Sequence, residues 1–246
     1  MPENKQLDLN RTASSKAKII KFCYILSVIL LLGCGNEKSK EKVKESTSET
    51  EQETSVSEAN QTKTILCFGD SITAGYGLDD SNEAFPALLQ NKIDSLGLDY
   101  NVINSGVSGE TTAGGLSRID WVLKQDIAVF LLELGGNDGL RGVPLTETRS
   151  NLQAIMDAVR EKDPETTIIL AGMELPPNMG NEYTTEFRLV FSELAEKNDV
   201  LFIPFILKDV GGIPELNQGD GIHPTAEGHQ IVASTVWEVL KSVITP

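Results

Sequence analysis

From residue 64 onward the sequence alternates short apolar runs with longer amphipathic stretches five times over, and this alternation is the strongest limit on how the chain can fold. The runs at 64–68, 100–104, 127–134, 167–173 and 200–203 have strand length. The stretches at 84–96, 112–123, 146–162, 183–197 and 225–243 have helix length and spacing. Strand followed by helix, repeated, predicts a parallel sheet with right-handed crossovers and helices on both faces. The expected architecture is α/β: a three-layer α/β/α sandwich on a five-stranded parallel sheet. Pro164, Pro204 and Pro224 fall outside element interiors, as this reading requires. With 40% apolar residues the chain can build a real core, and the segments leave room for one folded domain, expected at 64–246.

The residues before it read differently. Lys5, Arg11, Lys16, Lys18 and Lys21 precede an 11-residue, predominantly apolar run from Phe22 to Leu32, followed by Gly33-Cys34-Gly35. A basic region, a short apolar run and a small residue before the break form a secretory signal at 1–33, too short for a membrane span of roughly 20 residues. Export is therefore expected. Leu31-Leu32-Gly33-Cys34 also resembles the bacterial lipobox, which implies diacylglycerol on Cys34 and a membrane partner through that anchor; the alternative is a plain cleaved signal with a stray cysteine. The segment at 34–63 is almost wholly Glu, Lys, Ser, Thr, Gln and Asn, a composition that cannot offset its ordering entropy, and is expected to be a disordered tether.

Charge narrows the partners. The net charge is −15, and without residues 1–33 there remain 16 basic against 34 acidic residues, a net −18. Such a surface repels phosphate backbones, so nucleic acid is excluded as a partner. The cysteines, at 23, 34 and 67, lack Cys-x-x-Cys spacing, and with only His223 and His229 they build no zinc site and no disulfide framework. Cys67, inside an apolar run, is expected to be a buried, inert thiol. Neither a phosphate-binding Gly-x-x-x-x-Gly-Lys loop nor a dinucleotide fingerprint follows the first strand, so no cofactor and no metal are expected.

Ile65-Leu66-Cys67-Phe68 runs without a polar break into Gly69-Asp70-Ser71, the pattern of a buried strand that ends in a tight loop. In an open parallel sheet such loops meet at the C-terminal edge of the strands. Three more belong there: Asn104 to Thr111, Gly135-Gly136-Asn137-Asp138-Gly139, and Asp220-Gly221-Ile222-His223-Pro224. Acyl transfer needs a nucleophile, a base, a group that orients the base, and donors for an oxyanion. Ser71 can be the nucleophile, His223 the base and Asp220 its orienting acid. The N–H groups of Ser71 and Gly109 and the side-chain amide of Asn137 can serve as oxyanion donors. Each has a plain structural alternative: Ser71 and Asn137 as turn residues, Gly109 as a positive-φ corner, Asp220 and His223 as a capped helix start. His229 reads as a surface or packing histidine. The occurrence of all the roles on one edge favours the chemical reading.

Gly-Asp-Ser-x-Thr, Ser-Gly-Glu-Thr, Gly-Gly-Asn-Asp-Gly and Asp-Gly-Ile-His-Pro together resemble the four blocks of the SGNH (GDSL) hydrolases. That resemblance spans the whole expected domain and implies a flavodoxin-like SGNH fold, with Ser71, Gly109, Asn137 and His223 at the family's catalytic positions and Asp220 as triad acid. Residues 106–116, 134–142 and 175–178 more narrowly resemble the bacterial thioesterase/lysophospholipase/arylesterase branch, which implies a small-molecule or lipid ester as substrate. Around Ser71 there is no Gly-x-Ser-x-Gly, which argues against an α/β-hydrolase. The loop 174–182 could wall an acyl chain or could be a simple connection. A polysaccharide O-acetyl esterase and a non-catalytic surface binding lipoprotein are the rival readings.

Overall fold

The structure is a computed structural model and describes residues 62–245. The expected signal at 1–33, Cys34 and nearly all of the tether lie outside the described residues.

Five strands form one sheet: β1 (Lys63–Gly69), β2 (Tyr100–Gly106), β3 (Val129–Glu133), β4 (Thr167–Ala171) and β5 (Leu201–Ile203). All neighbours run parallel, in the order β2-β1-β3-β4-β5. Central strands are covered on both faces, so β3 is buried throughout and β1 from Ile65 onward, which is why both read as continuous apolar runs rather than as alternating ones. In β1, Ile65, Leu66, Cys67 and Phe68 have no exposed surface, and Phe68 meets Phe130 of β3 with ring centroids 5.4 Å apart. Cys67 is a free thiol that burial pushes far above its ordinary pKa, so the expected inert role holds.

The five long helices are α2 (Phe85–Ser95), α3 (Thr112–Val122), α5 (Leu145–Lys162), α6 (Asn181–Asn198) and α7 (Ala226–Ile244). Helix α2 packs on α7, whereas α3 packs on α5 and α5 on α6, giving the two outer layers of the sandwich. The elements follow the expected ones with shifted ends. Strands β3 and β4 are shorter than the apolar runs at 127–134 and 167–173, and α6 extends beyond 183–197 at both ends. Two short helices were not anticipated: α1 (Ser71–Ala74) and α4 (Gly136–Arg141). Both begin directly past the ends of strands β1 and β3, where composition suggests only turns.

The strand order sets where a ligand can sit. The chain leaves β1 for β2 on one side, then returns past β1 to β3 on the other. Loops from the C-terminal ends of β1 and β3 therefore diverge and leave a crevice between them. Ser71 follows β1 and Asn137 follows β3.

Candidate active site

Ser71 is the first residue of α1, a single turn whose geometry begins with the strand before it. At Gly69 an added Cβ would lie 2.1 Å from Thr73 Oγ1 and 2.4 Å from Glu133 Oε2, so only glycine lets the turn fold back against β3. Asp70 caps the turn, its Oδ1 accepting from the Ile72 N–H at 3.0 Å. The N–H of Ser71, at the first helical position, has no intrahelical partner. Ser71 itself is buried, 7% exposed.

His223 and Asp220 reach it from a loop far along the chain. Ser71 Oγ lies 2.9 Å from His223 Nε2, and His223 Nδ1 lies 2.6 Å from Asp220 Oδ2. Asp220 Oδ1 accepts the N–H groups of Ile222 at 3.0 Å and His223 at 3.1 Å, so the carboxylate also shapes the loop that carries the imidazole. Slight burial works to raise the Asp220 pKa. The hydrogen bonds from the His223 ring and the two backbone N–H groups outweigh it, and the carboxyl is held down at about 2. An ionised Asp220 fixes the proton on Nδ1 and leaves the Nε2 lone pair facing the serine hydroxyl.

Opposite the histidine stand the candidate oxyanion donors. Asn137 lies in the first turn of α4, and its Nδ2 donates one hydrogen to Asp70 Oδ2 at 3.0 Å, which leaves the other for a ligand. Asp138, 1% exposed, accepts from both the N–H and the hydroxyl of Thr112, the former at 2.8 Å, and so binds the start of α3 to α4. Gly109, in the loop before α3, has φ +77°, and its carbonyl accepts from Arg141 Nη2 at 2.9 Å. These contacts bring the loops after β1, β2 and β3 to one rim, so Ser71, Gly109, Asn137, Asp220 and His223 are gathered in one place.

Several contributing residues escaped the sequence reading. Asp70 and Asp138 flank the expected Ser71 and Asn137, and that adjacency was the available signal. Glu133, at the end of β3, is buried beneath α1, where its Oε2 accepts the Thr73 hydroxyl at 2.7 Å and the Asp70 N–H at 3.2 Å. Its Oε1 has no partner. Burial, and then the nearby Asp70 carboxylate, push the Glu133 pKa well up. Burial raises Asp70 as well, to about 6, against the lowering effect of the Ile72 N–H and the Asn137 amide. His229 proves to be a packing histidine, fully buried: its Nδ1 accepts the Phe85 N–H at 3.3 Å, and burial, with His223 nearby, lowers its pKa to about 4.

The rim opens on a cavity of about 620 Å³. Leu140, Met173, Leu175 and Pro176 line it beside Asn137, so of the two readings of the 174–182 loop its first part fits a cavity wall. Met179 instead packs against the core. Phe205 and Leu207, past β5, complete the apolar lining and were not foreseen. Among the described residues no cluster of three His, Cys, Asp or Glu side chains could hold a metal ion.

Comparison with known proteins finds esterases among those similar to this chain. Esterase TesA of Pseudomonas aeruginosa is 38% identical over 183 residues, which cover 74% of this chain and 90% of that protein. The Escherichia coli K12 protein named thioesterase 1/protease 1/lysophospholipase L1 is 36% identical over 182 residues, covering 74% of this chain and 85% of the other. Among solved structures, AlinE4, an SGNH-hydrolase family esterase, is 43% identical with a TM-score of 0.61, over 74% of this chain and 97% of that one. The model of the GDSL-like Lipase/Acylhydrolase family matches residues 67–231, and with relatives of this identity and coverage the chain belongs to that family.

Proposed function

We propose that this chain hydrolyses carboxylic esters through an acyl-enzyme on Ser71, with acyl, aryl or lysophospholipid esters as its substrates. The observation that carries the reading is the hydrogen-bonded series from Asp220 through His223 to Ser71, at 2.6 and 2.9 Å, at the edge of a largely apolar cavity. His223 Nε2 takes the hydroxyl proton as Ser71 Oγ attacks the acyl carbonyl. The oxyanion that forms is met by the N–H groups of Ser71 and Gly109 and by the free hydrogen of Asn137 Nδ2. His223 then gives its proton to the departing alkoxide. Water, deprotonated by the same nitrogen, attacks the acyl-enzyme, and the acid leaves as the proton returns to Ser71. Asp220 stabilises the imidazolium in both halves.

The lining supports an acyl chain or aryl group rather than a bare acetyl. A site of this size lies within the range of small-molecule pockets, and its walls are aliphatic and aromatic. Names of relatives point the same way: esterase, arylesterase, and thioesterase/lysophospholipase. We further propose that the domain is exported and held at a membrane, on its periplasmic or cell-surface side, by diacylglycerol on Cys34, on the strength of the Leu31 to Cys34 pattern. Loss of metabolic palmitate labelling in Cys34→Ser tests that placement; equal labelling of both forms sinks it.

Activity is tested with p-nitrophenyl esters of increasing acyl length. The wild type is expected to turn over esters beyond acetyl, and Ser71→Ala to lose about 10⁶ in kcat. Activity confined to acetyl would replace the acyl reading with carbohydrate deacetylation. Turnover by the alanine variant at the wild-type rate would remove Ser71 from the mechanism.

A further inference from the structure

Ser71 and His223 are 152 residues apart in the chain, yet sit at hydrogen-bonding distance. Their own bond cannot be what holds them there, because it must be broken and remade with each proton transfer. Another contact has to set the spacing, and residues 217–224 contain it.

This segment doubles back on itself. Asn217 and Pro224 form an isolated antiparallel bridge, and the Gln218 N–H donates to the His223 carbonyl at 2.7 Å. The Gln218 side chain then crosses to the loop that carries the serine. Its Nε2 donates to the Tyr76 carbonyl at 2.6 Å and to the Pro224 carbonyl at 3.0 Å. Tyr76 in turn donates its N–H to the Ser71 carbonyl at 3.0 Å, and its ring centroid lies 4.7 Å from that of His223. Main chain and one amide thus make a closed circuit: Ser71 to Tyr76, Tyr76 to Gln218, Gln218 to His223. Among the described residues, only Gln218 to Tyr76 and Ser71 to His223 join 70–80 to 217–224 by side-chain hydrogen bonds.

The sequence is shaped around this contact. Gly77 has φ +77°, and an added Cβ would stand 2.0 Å from Gln218 Oε1, so the amide occupies the space that a side chain would need. The amide has its donors directed at two carbonyls and none at the cavity. It has no part in binding an ester.

From this circuit we infer that Gln218 is a positioning residue for the reaction, a clasp that holds the loop of His223 against the loop of Ser71. The inference rests on the roles proposed above for those two residues. Loss of the clasp should lower the rate of nucleophilic attack while leaving in place the apolar walls of the cavity at Leu140, Met173, Leu175 and Phe205, which come from other loops. A misplacement of about 1 Å is worth roughly a hundredfold in rate, so the expected loss is about tenfold to a hundredfold in kcat.

The test uses the full-length chain with Gln218→Leu, which keeps the bulk and removes both donors, and Gln218→Glu, which keeps the shape and turns an acceptor toward the two carbonyls. Both should lose about tenfold to a hundredfold in kcat on a p-nitrophenyl ester while KM stays within about twofold. Phosphonylation of Ser71 by a fluorophosphonate should slow by the same factor. Gly77→Ala, which displaces the amide from the other side, should give a similar loss, and in combination with Gln218→Leu no more than about a further twofold, because both act on one contact. A kcat for Gln218→Leu within about twofold of wild type overturns the assignment. So does a loss that vanishes when rates are referred to phosphonate-titrated sites, since the variant would then only be partly unfolded. If the wild type neither turns over an ester nor takes up phosphonate, the ester hydrolase reading itself has failed, and the clasp falls with it.

Discussion

Ser71 stands between two carboxyl-bearing regions that handle charge in opposite ways. On the histidine side, Asp220 has a side chain 39% exposed, and it accepts three hydrogen bonds. Its pKa falls to about 2. On the sheet side, Asp70 and Glu133 are 2% and 1% exposed, and one Glu133 oxygen has no partner. There the pKa of Asp70 rises to about 6 and that of Glu133 goes well above its ordinary value. The same functional group is a permanent anion where donors outnumber the cost of burial and a reluctant one where they do not. The first region supplies charge to an imidazolium that forms and disappears. The second holds a turn and an amide in place, work for which charge is a liability.

The largest effect should come from the charged side. Asp220→Asn keeps the size of the side chain but loses the anion and the tautomer it enforces, and kcat is expected to fall by about 10⁴. A fall of less than tenfold in steady-state kinetics would break the contrast. Asp220 would then be no more than the acceptor that shapes the turn at Ile222 and His223.

Next comes the sheet side, through its single contact with the chemistry. Asn137→Ala should lose about 10² to 10³ in kcat, the scale for one oxyanion donor. Asp70→Asn leaves that donor in place but turns an amide toward it where an acceptor stood. The milder loss expected there, about tenfold, should nearly vanish in the Asn137→Ala background, because Asp70 acts on the reaction through Asn137. Additive losses in the double variant would show that Asp70 reaches the oxyanion by another route.

How legible each side was in the sequence follows from the range of its contacts. The strands could be read because a parallel strand buried on both faces is a run such as Ile65-Leu66-Cys67-Phe68. His223 and Asp220 could be read because they stand three positions apart and one turn brings them together. Helix α4 could not, since Gly-Gly-Asn-Asp-Gly has the composition of a turn. It is held as a helix in part by Asp138, whose partners Thr112 and Thr148 are 26 and 10 residues distant. Glu133 bonds to Thr73 across 60 residues and Gln218 to Tyr76 across 142, and no local pattern marks either. His229 was within reach: it shares the buried face of α7 with Val232, Ala233, Val236 and Leu240, at helical spacing.

The smallest effect is on stability, and its sign separates the two regions. A carboxyl raised by folding contributes stability that is complete below its unfolded pKa and is lost as pH rises through its folded value. One that folding lowers contributes stability above its unfolded pKa and loses it as pH falls. Glu133, raised from an ordinary 4.5, is of the first kind, and Asp220, lowered from 3.8 to about 2, is of the second. Glu133→Gln can still accept from Thr73 and Asp70 through its carbonyl oxygen, and it cannot ionise. Thermal unfolding of both proteins from about pH 4 upward should therefore show the glutamine variant gaining on wild type as pH rises. The variant starts at a disadvantage, because its buried NH₂ takes the place of the unpartnered Oε1. Esterase turnover should change by less than about threefold, since Glu133 touches α1 and not the cavity. A melting difference independent of pH would mean that Glu133 is as readily ionised in the fold as outside it. The two sides of Ser71 would then differ in exposure without differing in charge.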